Sequence, residues 1–244
     1  MKEYMFDVHM HTHYSYDSLL TPKDLIKTAA KRGLSTVIVT DHNTTKGGFA
    51  CVKAVKNMTL DLTVFVGNEI KTEHGDVIGL FLHEEIKSHL YHDVIDEINA
   101  QDGIVYLPHP FASYTHIQDM DLSRIQVLEA YNGRHSRVEN EKALGFGRQL
   151  GIPVLGGSDA HIGYEIGSVK NATETDVTDE NALRKVILDG GSSIQISFNN
   201  PPLLPRFKMT EYMSWVRSGH SERVLQRVLL FLIRRTRHIS GLLV

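Results

Sequence analysis

The sequence is poor in the residues that mark several protein classes. It has one cysteine, Cys51, in 244 residues. That excludes an internal disulfide and a cysteine-built zinc cage, and leaves Cys51 to be read as a small buried hydrophobe. No apolar run approaches the ~20 residues of a membrane span. The first residues lack a basic stretch followed by an apolar core, so no secretory signal is expected and a cytoplasmic enzyme is the expectation. There is no G-x-S-x-G elbow and no P-loop, and Cys51 has no motif context for a nucleophile. Prolines number seven, and the one proline-rich stretch is "NNPPLLPR".

Histidine, by contrast, is plentiful, with 14 residues. Several stand beside acids, in "TDHN", "SDAH" and "LHEE". The stretch "DVHMHTHYSYDS", Asp7 to Ser18, places three histidines at alternate positions. Alternation is the period of a strand. A strand that buries imidazoles needs partners for them, because unpaired buried polar groups are costly, and a metal ion is such a partner.

Charge divides the chain. Residues 206–244 hold eight of the 26 Lys and Arg but two of the 29 Asp and Glu, a net +6 against −9 for residues 1–205. The break falls at Asn199 to Arg206, which separates a main domain, 1–200, from a basic helical C-terminal appendage, 206–244. Within "SERVLQRVLLFLIRRTRH", helical spacing gathers Arg223, Arg227 and Arg234. Nucleic-acid contact, a partner, an anionic membrane surface, or a terminal helix with a solvated charged face are the readings open to it.

The main part alternates β-rich runs with amphipathic helical runs. The β runs are "YMFDV", "STVIVT", "LTVFVGNEI", "DVIGLFL", "IVYLP", "QVLEAYN", "IPVLGG" and "SSIQIS". Thr21 with Pro22 reads as an N-cap and first helical residue, Thr178 as a second cap, and Gly33, Gly103 and Gly151 as helix ends. Alternating β and α predicts a parallel sheet, open or closed. The polar residues follow the strand runs: His9 and His11, Asp41 and His42, Glu69, His109, then Asp159 and His161. In a βα barrel these ends share one face, where active sites sit.

The pieces "DVHMHTHYSYDS", "GLSTVIVTDHNT", "GNEI", "LPHP" and "GGSDAH" resemble the PHP family, the polymerase and histidinol phosphatase superfamily. The resemblance implies a distorted seven-stranded βα barrel and hydrolysis of phosphate esters at two or three divalent ions. Carried over by position, it makes His9, His11 and Asp159 ligands of a first ion, with Glu69 bridging to a second. His109 would bind the second, and Asp17, His42 and His161 a third. Asp7 would orient a ligand histidine. His13 has no place in the ligand pattern and is read as solvent-facing, and His116, His135, His220 and His238 as surface residues.

One second-site ligand stays between two candidates, Asp76 and His83. Only "KTEHG" separates the runs around Glu69 and Asp76, too few residues for a parallel crossover. An antiparallel hairpin turning near His74 and Gly75 is therefore expected, with Asp76 returning beside Glu69 and His83 about 23 Å further along. Asp76 is the ligand chosen.

Phosphate esters are anionic, so attack by another anion needs charge neutralisation, which clustered divalent ions supply. A metal-bridged hydroxide is the expected nucleophile, and Asp159 and His161 are the catalytic candidates, His161 or water protonating the leaving group. Arg134, in "YNGRH", is the candidate phosphate-binding residue. Mixed His and carboxylate ligands suit Mn, Fe or Zn. The substrate is expected to be a phosphorylated small molecule, a nucleotide or an oligonucleotide. Two rivals are an amidohydrolase, which "TDHN" and "SDAH" fit poorly, and a non-catalytic metal-binding PHP scaffold that docks a nucleic-acid-processing partner.

Overall fold

The computed structural model describes residues 2–112 and 115–196. The appendage expected at 206–244 lies outside the described residues. Fourteen regular elements follow one another: β1 (Tyr4–Asp7), α1 (Pro22–Lys31), β2 (Thr36–Val39), α2 (Lys46–Val55), β3 (Thr63–Thr72), β4 (Gly75–Leu80), α3 (Tyr91–Ala100), β5 (Ile104–Leu107), β6 (Val127–Asn132), α4 (Arg137–Leu150), β7 (Val154–Gly157), β8 (Val169–Thr173), α5 (Glu180–Leu188) and β9 (Ser193–Ile196).

Local chemistry explains the helix ends. The Thr21 hydroxyl accepts the Asp24 N–H at 3.1 Å, and Pro22 opens α1 without wasting a donor. Its Leu25, Ile26 and Ala29 form the buried face. Ser136 and Glu139 form a reciprocal capping box at the start of α4, and Gly151 ends that helix at φ +68°. Asp179, not the expected Thr178, caps α5 by accepting the Ala182 N–H; the Thr178 hydroxyl instead donates to Asp176.

The sheet runs β7-β6-β5-β4-β3-β2-β1-β8-β9. Neighbours among β1–β3 and among β5–β7 are parallel. β4 is antiparallel to both β3 and β5, which is the distortion in the barrel. The ring nearly closes where the chain leaving β1 meets the chain leaving β7: the Asp159 N–H donates to His9 O at 2.8 Å and the His11 N–H to Ala160 O at 2.9 Å. β1 to β7 are thus the expected seven, and β8 and β9 extend the sheet antiparallel from β1. The Asn171 side chain on β8 bonds both N and O of Gly156, at 2.9 and 2.7 Å, tying the extension to β7.

β2, β4 and β5 are buried along their whole length, as strands covered on both faces must be. Phe6, Ile38, Ile78, Tyr106, Val127 and Leu155, from six strands, pack as one cluster with Leu183, Val186 and Ile187 of α5. This apolar filling leaves the polar residues to the C-terminal strand ends. The described residues contain no helix long and apolar enough to cross a membrane.

Candidate metal centre

Each ring strand presents one or two polar side chains at this end. His9 and His11 stand beyond β1, His42 beyond β2, His109 beyond β5, and Asp159 and His161 beyond β7; Glu69 lies within β3. Glu69, His9, His11, His109, Asp159 and His161 are all buried. Three groups have donor atoms close enough to share an ion: His9, His11 and Asp159; His9, Glu69 and His109; His11, His42 and His161. They share His9 and His11, so they are one continuous centre.

Glu69 is its hub. One carboxylate oxygen faces His9 Nε2 at 3.4 Å, His11 Nε2 at 3.3 Å and His42 Nδ1 at 3.1 Å; the other lies 3.0 Å from His109 Nε2. Burial alone would raise the Glu69 carboxyl, but His42 and His9 hold it well below the usual range. Asp159 is likewise held low against the effect of burial, chiefly by His9, with His11 beside it. Asp17 Oδ2 lies 3.1 Å from His161 Nε2 and 3.7 Å from His42 Nε2. His109 and Asp159 have φ of +26° and +51°, strained values for non-glycine residues that cluster at functional sites.

The hydrogen-bond network assigns the lone pairs. The Ser15 hydroxyl donates its one hydrogen to Asp41 at 2.8 Å and accepts the His42 N–H at 2.9 Å. Toward His11 Nδ1, 3.2 Å away, Ser15 can only accept, so that nitrogen carries the proton. His11 Nε2 is then a lone pair, buried and without a hydrogen bond. It faces Asp159 Oδ1 at 3.2 Å and Glu69 Oε2 at 3.3 Å. Burial, with His161 and His42 nearby, pushes the His11 pKa down to about 3, which disfavours protonation of the ring. Three electron-rich atoms converging in a buried site fit a cation between them.

Glu129, on β6, is the functional residue that the sequence reading missed. His9 Nδ1 donates to one of its oxygens at 2.9 Å, and the His109 N–H and Asn132 Nδ2 donate to the other at 2.8 and 2.9 Å. This fixes His9 with Nε2 aimed into the centre. Asp7, expected in that role, accepts backbone N–H groups of His9 and Ser158 instead. Gly157 lies beneath the pair; a Cβ there would come within 2.3 Å of Glu129. Asp41 locks the loop after His11 by accepting the Thr12 N–H at 2.6 Å and hydroxyl at 2.7 Å.

The hairpin turns where expected. Its register sets Asp76 opposite Lys71, and Ile78, not Asp76, opposite Glu69. Asp76 is buried, with Oδ2 4.0 Å from His109 Nε2. His83 is exposed, its backbone held by Gln101. Arg134 Nη1 lies 2.5 Å from His161 Nδ1, and its backbone N–H is pinned by Asn132. His13 is exposed as expected. His135 is half-buried and stacks on His109 at 5.3 Å, closer to the centre than its sequence context suggested.

The profile of the PHP domain family matches residues 7–174, a span that contains every residue of this centre. The chain belongs to the PHP domain family. A curated relative in sequence, the uncharacterized protein MJ1587 of Methanocaldococcus jannaschii, is 36% identical over 142 residues, covering 52% of this chain and 82% of the relative. Among solved structures, a two-domain protein from Bacteroides vulgatus containing a predicted PHP-like metal-dependent phosphoesterase superposes with a TM-score of 0.69 at 16% identity, over 80% of this chain and 65% of that one. The chain therefore spans about two thirds of that protein. The lesion-specific endonuclease PfuEndoQ from Pyrococcus furiosus superposes with a TM-score of 0.58 at 19% identity, over 79% and 58%. Both solved structures share the fold seen here.

Proposed function

We propose that this PHP protein is a metal-dependent phosphoesterase. The observation that carries the reading is the convergence of three donor groups, sharing His9 and His11 and buried except for His42, at one end of the barrel. His9, His11 and Asp159 would hold a first ion, with Glu69 placed to reach toward a second that His109 and Asp76 would hold. Asp17, His42 and His161 form a third position. The His and carboxylate mixture suits Mn, Fe or Zn. Bound divalent ions neutralise the ester's charge and lower the pKa of water.

The chain's own residues supply the rest. Glu129 and Ser15 hold the His9 and His11 rings so that both Nε2 atoms face inward. Arg134, anchored through Asn132, offers its guanidinium to a phosphate oxygen. His161, whose Nε2 faces Asp17 at 3.1 Å, would pass a proton to the leaving oxygen where it is not itself a ligand. Likeness to an endonuclease and to phosphoesterases keeps both nucleic-acid ends and small phosphorylated molecules within the substrate class. A non-catalytic scaffold is disfavoured, because every position of the donor set holds a residue competent to bind.

The test is a screen of the purified, Mn-loaded protein against panels of phosphate monoesters and diesters, with metal content measured in parallel. Metal-dependent turnover of at least one ester is expected. Full metal loading with no turnover across both panels would leave the scaffold reading instead.

A further inference from the structure

Tyr16 is not explained by the metal centre. It is 59% exposed, yet its ring stacks on His42, with centroids 5.2 Å apart and planes at 22°. It adjoins Asp17, whose carboxylate faces His161 and His42. His42 has no need of it for orientation. Its backbone N–H is held by Ser15 at 2.9 Å, and its two ring nitrogens face Glu69 at 3.1 Å and Asp17 at 3.7 Å. One face of Tyr16 thus covers a residue of the centre, and the rest of the ring meets solvent at the rim. Tyr14, 43% exposed, stacks on His13 in the same rim segment.

We infer that Tyr16 is a specificity residue that stacks the base of a nucleotide, or of the terminal nucleotide of an oligonucleotide, while the phosphate occupies the centre. The inference rests on the phosphoesterase reading and narrows its substrate class. A planar aromatic face one ring removed from the donor atoms suits a ligand in which a single ribose separates base from phosphate. A sugar phosphate has no π face to place there. Stacking on an aromatic ring tolerates any base, so the selectivity is for a nucleobase and not for one particular base.

Adenosine 5′-monophosphate carries a base where ribose 5-phosphate has an anomeric hydroxyl, so their ratio reports on the base. The Mn-loaded full chain should favour the adenosine compound in kcat/KM by about tenfold or more, the scale of base–aromatic stacking. Tyr16→Phe should keep that ratio and Tyr16→Ala should lose most of it. Tyr16→Leu, apolar but not planar, gives the same comparison if the alanine variant misfolds. Equilibrium dialysis of both compounds reads the same ratio as binding. A protein that binds them but turns over neither argues against the phosphoesterase reading while still deciding this one. A wild-type ratio near one, or a ratio unchanged by Tyr16→Ala, overturns the assignment. So does an equal loss for both compounds, which would make Tyr16 a support for His42.

Discussion

His9 and Glu129, 120 residues apart in the chain, meet through a 2.9 Å hydrogen bond from Nδ1 to Oε1 in the buried floor of the centre. The other Glu129 oxygen accepts from the backbone of His109. One carboxylate therefore aims one candidate ligand and positions the backbone of another. Glu129→Gln presents an amide where donors already converge. Metal affinity should fall about 10- to 100-fold, the usual effect of losing such a support, with the fold retained. Competition against a chromophoric chelator measures it; unchanged affinity would remove Glu129 from the design of the centre.

Asp76 and His83 separate cleanly in space. Asp76 is buried 4.0 Å from His109, whereas His83 is exposed. Metal analysis of Asp76→Ala should show one ion fewer per chain than wild type, and His83→Ala should match wild type. The reverse pattern would move the second site away from the hairpin.

Gly47 sits on α2 against the Asp41–Thr12 lock. A Cβ there would lie 1.7 Å from Asp41 Oδ2 and 2.2 Å from Thr12 Oγ1. Alanine is ordinarily favoured over glycine inside a helix by about 1 kcal/mol. Here overpacking of a buried hydrogen-bonded carboxylate should dominate, giving a net destabilisation of about 1–3 kcal/mol in urea unfolding. A stabilised Gly47→Ala protein would show that the loop after His11 yields easily.

Cys51 is fully buried, and burial pushes its thiol far above the ordinary range. The thiolate is the reactive form. Native protein should give no reaction with a disulfide reagent over minutes, and urea-unfolded protein one thiol per chain. Rapid native labelling would contradict the packing of α2.

Much of this arrangement is visible in the chain itself. Histidines and acids that follow apolar β runs have to emerge at strand ends, so His9, His11, His42, His109, Asp159 and His161 could be placed together before any coordinates. The six residues between Glu69 and Asp76 are too few for a crossover, which made the hairpin legible, although not its register. Glu129 left a signal, a lone acid inside "VLEAYN", that its apolar neighbours obscured. β8 left almost none. "VKNAT" has three polar residues in five and earns its place through Asn171 bonding across to Gly156. Asp7 took the orienting role from the resemblance, but it holds only the His9 backbone, and Glu129 on another strand holds the ring. The stack of Tyr16 on His42 depends on how the loop between His11 and Asp17 folds, which local pattern does not encode.

The central claim is a buried multi-ion centre that hydrolyses phosphate esters, with His11 and Asp159 at its heart. The most direct measurement pairs metal stoichiometry with hydrolysis of an aryl phosphate for wild type, His11→Ala and Asp159→Asn, with circular dichroism to confirm folding. Wild type should bind at least two ions per chain and turn over substrate, losing activity to a chelator and regaining it with Mn. Both variants should remain folded, bind fewer ions and be inactive. A folded His11→Ala or Asp159→Asn protein with wild-type metal content and turnover would contradict the account.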